Sequence, residues 1–224
     1  MSDLRPFTLS ICGLGCWGEC NICCFMTISI ANLFGRLIRR TVPPGLISSP
    51  SSPLIGLIAQ LDMWYANLPH ELQITELNMY IQKDTNILGA VFFIHLAYHA
   101  AVADLTRVSL PGFNFPLASS FAQVPDDFRR QCQERCRYHA DEVSRLVKMG
   151  FKHGTRPFND PFCFIAAYEA TKIQIVYTNT VAAGLHAERS RAEANIRVNT
   201  KLMNLMGRDG SHVHVSYVHA VLIQ

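Results

Sequence analysis

Apolar residues recur at three- and four-residue steps through most of the chain, the spacing that gives a helix one buried face. Ile22, Phe25, Met26, Ile30, Leu33, Phe34, Leu37 and Ile38 predict a first helix. It ends at Arg39 and Arg40, cations suited to the negative end of a helix. Thr41 to Pro53 holds four prolines and four serines and reads as a linker. A second helix is expected from Ser52, a capping residue with Pro53 at the first helical position. It carries Leu54, Leu57, Ile58, Leu61, Trp64 and Tyr65, and stops at Leu68-Pro69, where proline pushes its predecessor out of helical geometry.

Residues 86–108 give the strongest helical pattern. Ile87, Leu88, Val91, Phe92, His95, Tyr98, His99, Val102 and Leu105 cover more than half the circumference, so this helix is expected to be buried on most sides. Pro111, Gly112 and Pro116 then break the chain. Asp126 and Asp127 open a further helix at its positive end, with a stripe of Phe128, Cys132, Cys136, His139, Val143, Leu146 and Val147, and Gly150 closes it. Residues 162–184 predict another, carrying Phe162, Ile165, Tyr168, Ile173, Val176 and Tyr177, although the β-branched run Thr171 to Val181 also suits a strand. The last spans 187–206, with Ala192, Ile196, Leu202, Leu205 and Met206 inward and Gly207 as the stop. The tail, His212 to Ile223, alternates weakly and suits a short strand or a helix. The class is all-α, a multi-helix bundle or solenoid-like domain.

Composition narrows the function. The chain is 224 residues long, 49% hydrophobic and 17% charged, a thinly charged surface for a soluble domain. The net charge of +3 is small, and the basic groups at 36–40, 129–137 and 189–197 are interleaved with acids or lie beside apolar stripes. A nucleic-acid binder shows a denser, one-sided basic face. Five of the eight cysteines are crowded at 12–24, without the long spacer a structural zinc site needs. Reduced thiols in an intracellular protein fit them best. Ile11 to Phe34 is nearly long enough to span a bilayer, so a membrane-anchored helical protein using residues 11–34 is the alternative. Against it stand Gly13, Gly15 and Gly18, and the cost of Glu19, Asn21 and Asn32 in hydrocarbon.

Catalytic signatures do not emerge. The spacing of His95 and His99 lets two histidines share a metal, but inside so apolar a helix they read as core histidines. Cys132 and Cys136 share a face as core thiols. There is no nucleophile elbow and no phosphate loop, so no catalytic, cofactor-binding or metal-ligating residue is assigned.

The segment Leu61-Asp62-Met63-Trp64-Tyr65-Ala66-Asn67-Leu68-Pro69-His70-Glu71-Leu72 resembles the "L…W…LP..L" signature of the fungal-specific transcription factor domain. That domain is the middle homology region of fungal binuclear zinc-cluster regulators. Ile30 to Arg40 is similar to the helix that precedes the signature there. His95-Leu96-Ala97-Tyr98-His99, followed by Leu105-Thr106-Arg107, resembles the family's "H..Y…..L.R" helix. Cys136 to Leu146, Pro161 to Ala170 and Asn195 to Met206 resemble the helices that follow. The resemblance covers residues 22–207, between an irregular segment 1–21 and a tail 208–224. Two departures stand out: Val108 follows Arg107 where the family has proline, and the cysteines at 12–24 lack the spacing of the family's six-cysteine DNA-binding head.

The resemblance implies a regulatory domain without its DNA-binding head, nuclear and not an enzyme. It implies transcription machinery or co-regulators as partners, a small-molecule effector, a homodimer and no direct contact with DNA. Zinc belongs to the missing head, so no cofactor is expected in this chain. The signature residues are Trp64, Leu68 and Pro69, which fix entry into the domain, with His95, Tyr98 and Arg107. Arg107 is expected to pair with Asp104 or with an acid of a partner.

Overall fold

The computed structural model describes residues 43–207. The expectations for the helix before Arg40, the cysteines at 12–24, the span 11–34 and the tail from 208 fall outside those residues. Among the described residues the chain is all-α, with eight helices and no strand: α1 (Pro44–Ile47), α2 (Pro53–Ala66), α3 (Glu76–Asp84), α4 (Leu88–Thr106), α5 (Pro116–Phe121), α6 (Asp126–Gly150), α7 (Pro161–Thr180) and α8 (His186–Gly207).

The apolar helix α4 lies at the centre. It packs against α6 and α7 on one side and against α2 and α3 on others, while α8 covers α6 and α7. A main core joins Leu88, Phe92 and Leu96 of α4 to Val143 and Leu146 of α6, Ile173 of α7 and Leu202 of α8. A second core, on another side of α4, joins Tyr98, Val102 and Leu105 to Leu54, Ile58 and Leu61 of α2 and to Leu117 and Phe121 of α5. Burial between two cores explains why α4 has apolar residues all round. Leu88–Ser109 is also long and apolar enough to cross a membrane, yet two thirds of it (67%) is buried inside the protein.

Proline and acid signals place the helix starts. Pro53, Pro116 and Pro161 each stand in the first turn, and Asp160 accepts a 2.8 Å bond from Phe162 N at the start of α7. Ser52 stands at the N-cap of α2 but makes no capping bond with its side chain. α4 starts at Leu88 rather than 86 because Asn86 turns the chain with φ +60°, a left-handed conformation that asparagine tolerates. α2 ends at Ala66, ahead of Leu68-Pro69, where the Asn67 side chain donates 2.6 Å to Met63 O.

Several expectations need correction. A short helix, α1, forms inside the expected linker, and α5 forms where breaks were expected. α3 was missed altogether. It buries Asn78, Met79 and Gln82, while Leu77, Tyr80 and Ile81 face outward. Ile165 is 52% exposed, because α7 turns Cys163, Ala166, Ala167 and Ala170 inward instead. Those small residues let α7 approach its neighbours closely. The β-branched stretch of α7 stays helical, and Thr171, Thr178 and Thr180 bond the carbonyls four residues earlier at 2.9, 2.8 and 2.7 Å. Gly150 ends α6 under a tight constraint: a Cβ there falls 2.3 Å from Phe158 Cζ and 3.1 Å from Phe92 Cε1.

Candidate functional site: a buried histidine and tyrosine junction

The richest polar cluster lies where α2, α4 and α6 meet. Asp62 and Tyr65 are one turn apart on α2; His95, Tyr98 and His99 share a face of α4; Arg135 and His139 share a face of α6. His95, Tyr98, His99 and His139 are buried, whereas Asp62, Tyr65 and Arg135 are partly buried.

The hydrogen bonds define the proton positions. His95 Nε2 lies 2.8 Å from Leu72 O, which can only accept, so Nε2 carries the proton. The neutral ring then leaves Nδ1 bare, and it accepts from the Tyr65 hydroxyl at 2.7 Å. The Tyr65 oxygen is left to accept from His99 Nε2 at 3.4 Å, the longest link. His99 Nδ1 is therefore bare and accepts from His139 Nδ1 at 3.0 Å. Four bonds thus run head to tail, from His139 through His99, Tyr65 and His95 to the Leu72 carbonyl.

This arrangement requires neutral imidazoles at His95 and His99, which accept through Nδ1, and the surroundings disfavour charge on all three rings. Burial pushes His95 below the usual histidine range against its bond to Leu72 O. His99 falls to about 2, through burial first and the neighbouring His139 second. His139 falls to about 4, again through burial, with the Arg135 cation adding to it. Burial likewise lifts the Tyr65 phenol to about 12.

A stack and an ion pair close the junction. The Tyr65 and Tyr98 rings stack 3.8 Å apart, 7° from parallel. The Tyr98 hydroxyl donates 2.9 Å to Asp62 Oδ1, and Arg135 Nη2 reaches Asp62 Oδ1 and Oδ2 at 2.6 and 2.5 Å. Burial and the Asp62 carboxylate together push the Tyr98 phenol well above its ordinary value.

Arg107 forms a second cluster beyond the end of α4. Its Nε lies 3.0 Å from Asp104 Oδ1, and its Nη1 donates 2.5 Å to Glu169 Oε2 on α7. The guanidinium sits 5.1 Å from the Phe115 ring centre and 5.7 Å from that of Phe113, so it also fastens the loop before α5. Lys172 shares Glu169 at 3.1 Å. The Asp104 pair is one of the two foreseen; Glu169, 62 residues away, was missed.

The remaining signature residues lie at the edge. Trp64 is only partly buried, packed against the second core. Leu68 and Pro69 are partly buried, and Pro69 caps the 3-10 turn His70–Leu72 that delivers the Leu72 carbonyl to His95. Of the expected set, His95 and Tyr98 meet at the junction, whereas Trp64 and Arg107 do not. Tyr65, Asp62, Arg135 and His139 complete the junction without having been singled out. Their sequence signal is the one-turn spacing within each helix.

Chemically, the junction is a lock. Both ring nitrogens of His95 and of His99 are engaged inside the protein. No group of three or more His, Cys, Asp or Glu among the described residues is arranged to hold a metal. The buried thiols of Cys132 and Cys163 are pushed up to about 11 and about 12 by burial, the opposite of an activated nucleophile. Along α8, Ile196, Arg197, Thr200, Lys201, Asn204 and Leu205 line an open groove of about 410 Å³. Comparison of the chain with known protein families, with characterised proteins and with solved structures returns no match.

Proposed function

We propose that this chain is a regulatory and interaction domain of the fungal zinc-cluster transcription-factor type, acting in the nucleus on RNA polymerase II transcription through protein partners. One observation carries the reading. Residues of three segments that carry the resemblance, Leu61 to Leu72, His95 to Arg107 and Cys136 to Leu146, meet at a single junction of α2, α4 and α6. Their meeting at one site supports reading them together as parts of one domain. The neutral histidines and raised thiols also support a scaffold over an enzyme. The chain makes no base contacts of its own in this reading, because base readout belongs to the zinc-containing head. Its partners are the transcription machinery or co-regulators, with a small-molecule effector as a modulating ligand.

The test is to tether the full chain to an unrelated DNA-binding domain in a fungal reporter strain. Reporter output is expected to change on tethering, and to change again when Tyr98→Ala opens the junction. The purified untethered chain is expected to show no sequence-selective binding to DNA by fluorescence polarisation. A silent tethered chain, selective DNA binding, or recovery of the chain with membranes overturns the proposal.

A further inference from the structure

α3 is built inside out. The side chains that it buries are Asn78, Met79 and Gln82. Asn78 Nδ2 donates to His70 O at 2.7 Å and to Gln73 O at 3.0 Å, and Gln82 Nε2 donates to Glu71 O at 2.7 Å. These bonds hold the helix to the turn before it. Its outer face shows Leu77, Tyr80 and Ile81, which are 69%, 66% and 53% exposed. They stand at i, i+3 and i+4, the spacing of a helix that packs against another helix. The other large exposed apolar residues among those described, Leu46, Met63, Tyr138, Ile165 and Leu185, are scattered on four different helices and one loop. A lone exposed residue needs no explanation, but a contiguous apolar face does.

We infer that this face of α3 is a self-association surface, on which α3 of a second copy of the chain docks antiparallel across a two-fold axis. The charges select that occupant. Glu76 and Lys83 are exposed and seven residues apart, so both lie on one flank of the apolar face. A two-fold axis across antiparallel helices brings the same flank of each copy together, end to end. Glu76 of one copy then meets Lys83 of the other, twice, while Leu77 meets Ile81. A parallel pairing brings that charged flank against Ile81 instead and leaves the charges unmatched. Self-complementarity of charge and apolar contact on so short a helix points to the chain itself.

The surface is small. Three side chains at these exposures offer about 350 Å² per copy, well under the roughly 800 Å² per partner of a standard interface. Association is therefore weak and concentration-dependent. The inference stands apart from the proposed function, since it needs only α3.

Sedimentation equilibrium of the full chain tests it, using Glu76→Lys, Lys83→Glu and an equimolar mixture of the two. Each variant alone faces like charges at both ends and is expected to associate about tenfold more weakly than the unsubstituted chain. The mixture restores both pairs and is expected to recover the original association. Ile81→Glu is expected to abolish it, with circular dichroism confirming that every variant stays folded. A chain that remains monomeric throughout overturns the inference, whether its own residues 22–38 cover the face or a different protein does. So does self-association that ignores the charge changes, and so does a mixture no tighter than its components.

Discussion

Lowering the pH from about 7.5 to about 5 loads protons onto the unfolded chain that the folded chain refuses. An unperturbed histidine titrates near pH 6.5, whereas folded His99 and His139 titrate at about 2 and about 4 because burial disfavours their charged forms. For a group whose folded pKa is depressed, stability is complete above the unfolded pKa and drains as the pH falls towards the folded one. Over the 1.5 or so pH units below 6.5 each histidine therefore withdraws about 2 kcal/mol, together about 4 kcal/mol at pH 5. His95, also depressed, adds in the same direction. Asp104 works against this: burial raises it to about 6, so the folded state takes up its proton first and regains about 1 kcal/mol over the same window. The net expectation is a loss of about 3 kcal/mol between pH 7.5 and pH 5, above the range where most carboxylates titrate. Urea melts at half-unit pH steps measure it. His139→Gln should remove about one proton of linkage, so its stability at pH 7.5 and at pH 5 should differ by about 2 kcal/mol less than in the parent chain. A flat profile between pH 7 and pH 5 refutes the buried neutral junction.

Three substitutions probe the rest of the fold. Gly150→Ala should cost about 2 kcal/mol or more in a thermal melt despite alanine's better helix propensity, because the new methyl collides with Phe158 and Phe92; a neutral result contradicts that packing. Arg107→Ala should cost about 2 kcal/mol, leaving Asp104 without its paired cation and Glu169 with Lys172 alone, and Arg107→Lys should recover only part of it. Full recovery by lysine argues against the two-acid geometry. Trp64→Ala should cost about 2 kcal/mol in the same assay, about half the value for a fully buried tryptophan.

The helix pattern was legible wherever burial was met by apolar residues. α4 and α6 declared themselves through their stripes, and Asp126 and Asp127 marked the start of α6. α3 was illegible for a definite reason: it meets its burial with Asn78 and Gln82 bonding to backbone carbonyls, so its apolar residues point the wrong way for a pattern search. Ile165 misled because alanines, which carry little weight in such a search, form the true inner face of α7. The junction was legible only in pieces. The i, i+4 pair His95 and His99 was visible, but His139 lies 40 residues from His99, and nothing local couples them. Tyr65 was visible only as one more residue of an apolar stripe, although it supplies the hydroxyl that links two histidines. Trp64, the most conspicuous residue of its motif, lies beside that contact rather than in it.

The central claim is that three helices are locked by one chain of neutral, oriented hydrogen bonds. Long-range nitrogen–proton NMR of the histidine side chains reads it directly, since the two ring nitrogens of each neutral tautomer give distinct shifts. At neutral pH, His95 and His99 should each carry the proton on Nε2 and His139 on Nδ1; His99 and His139 should stay neutral down to pH 5, and His95 should titrate below the usual histidine range. Averaged tautomers, or an imidazolium signal from His99 or His139 at pH 6, contradicts the account.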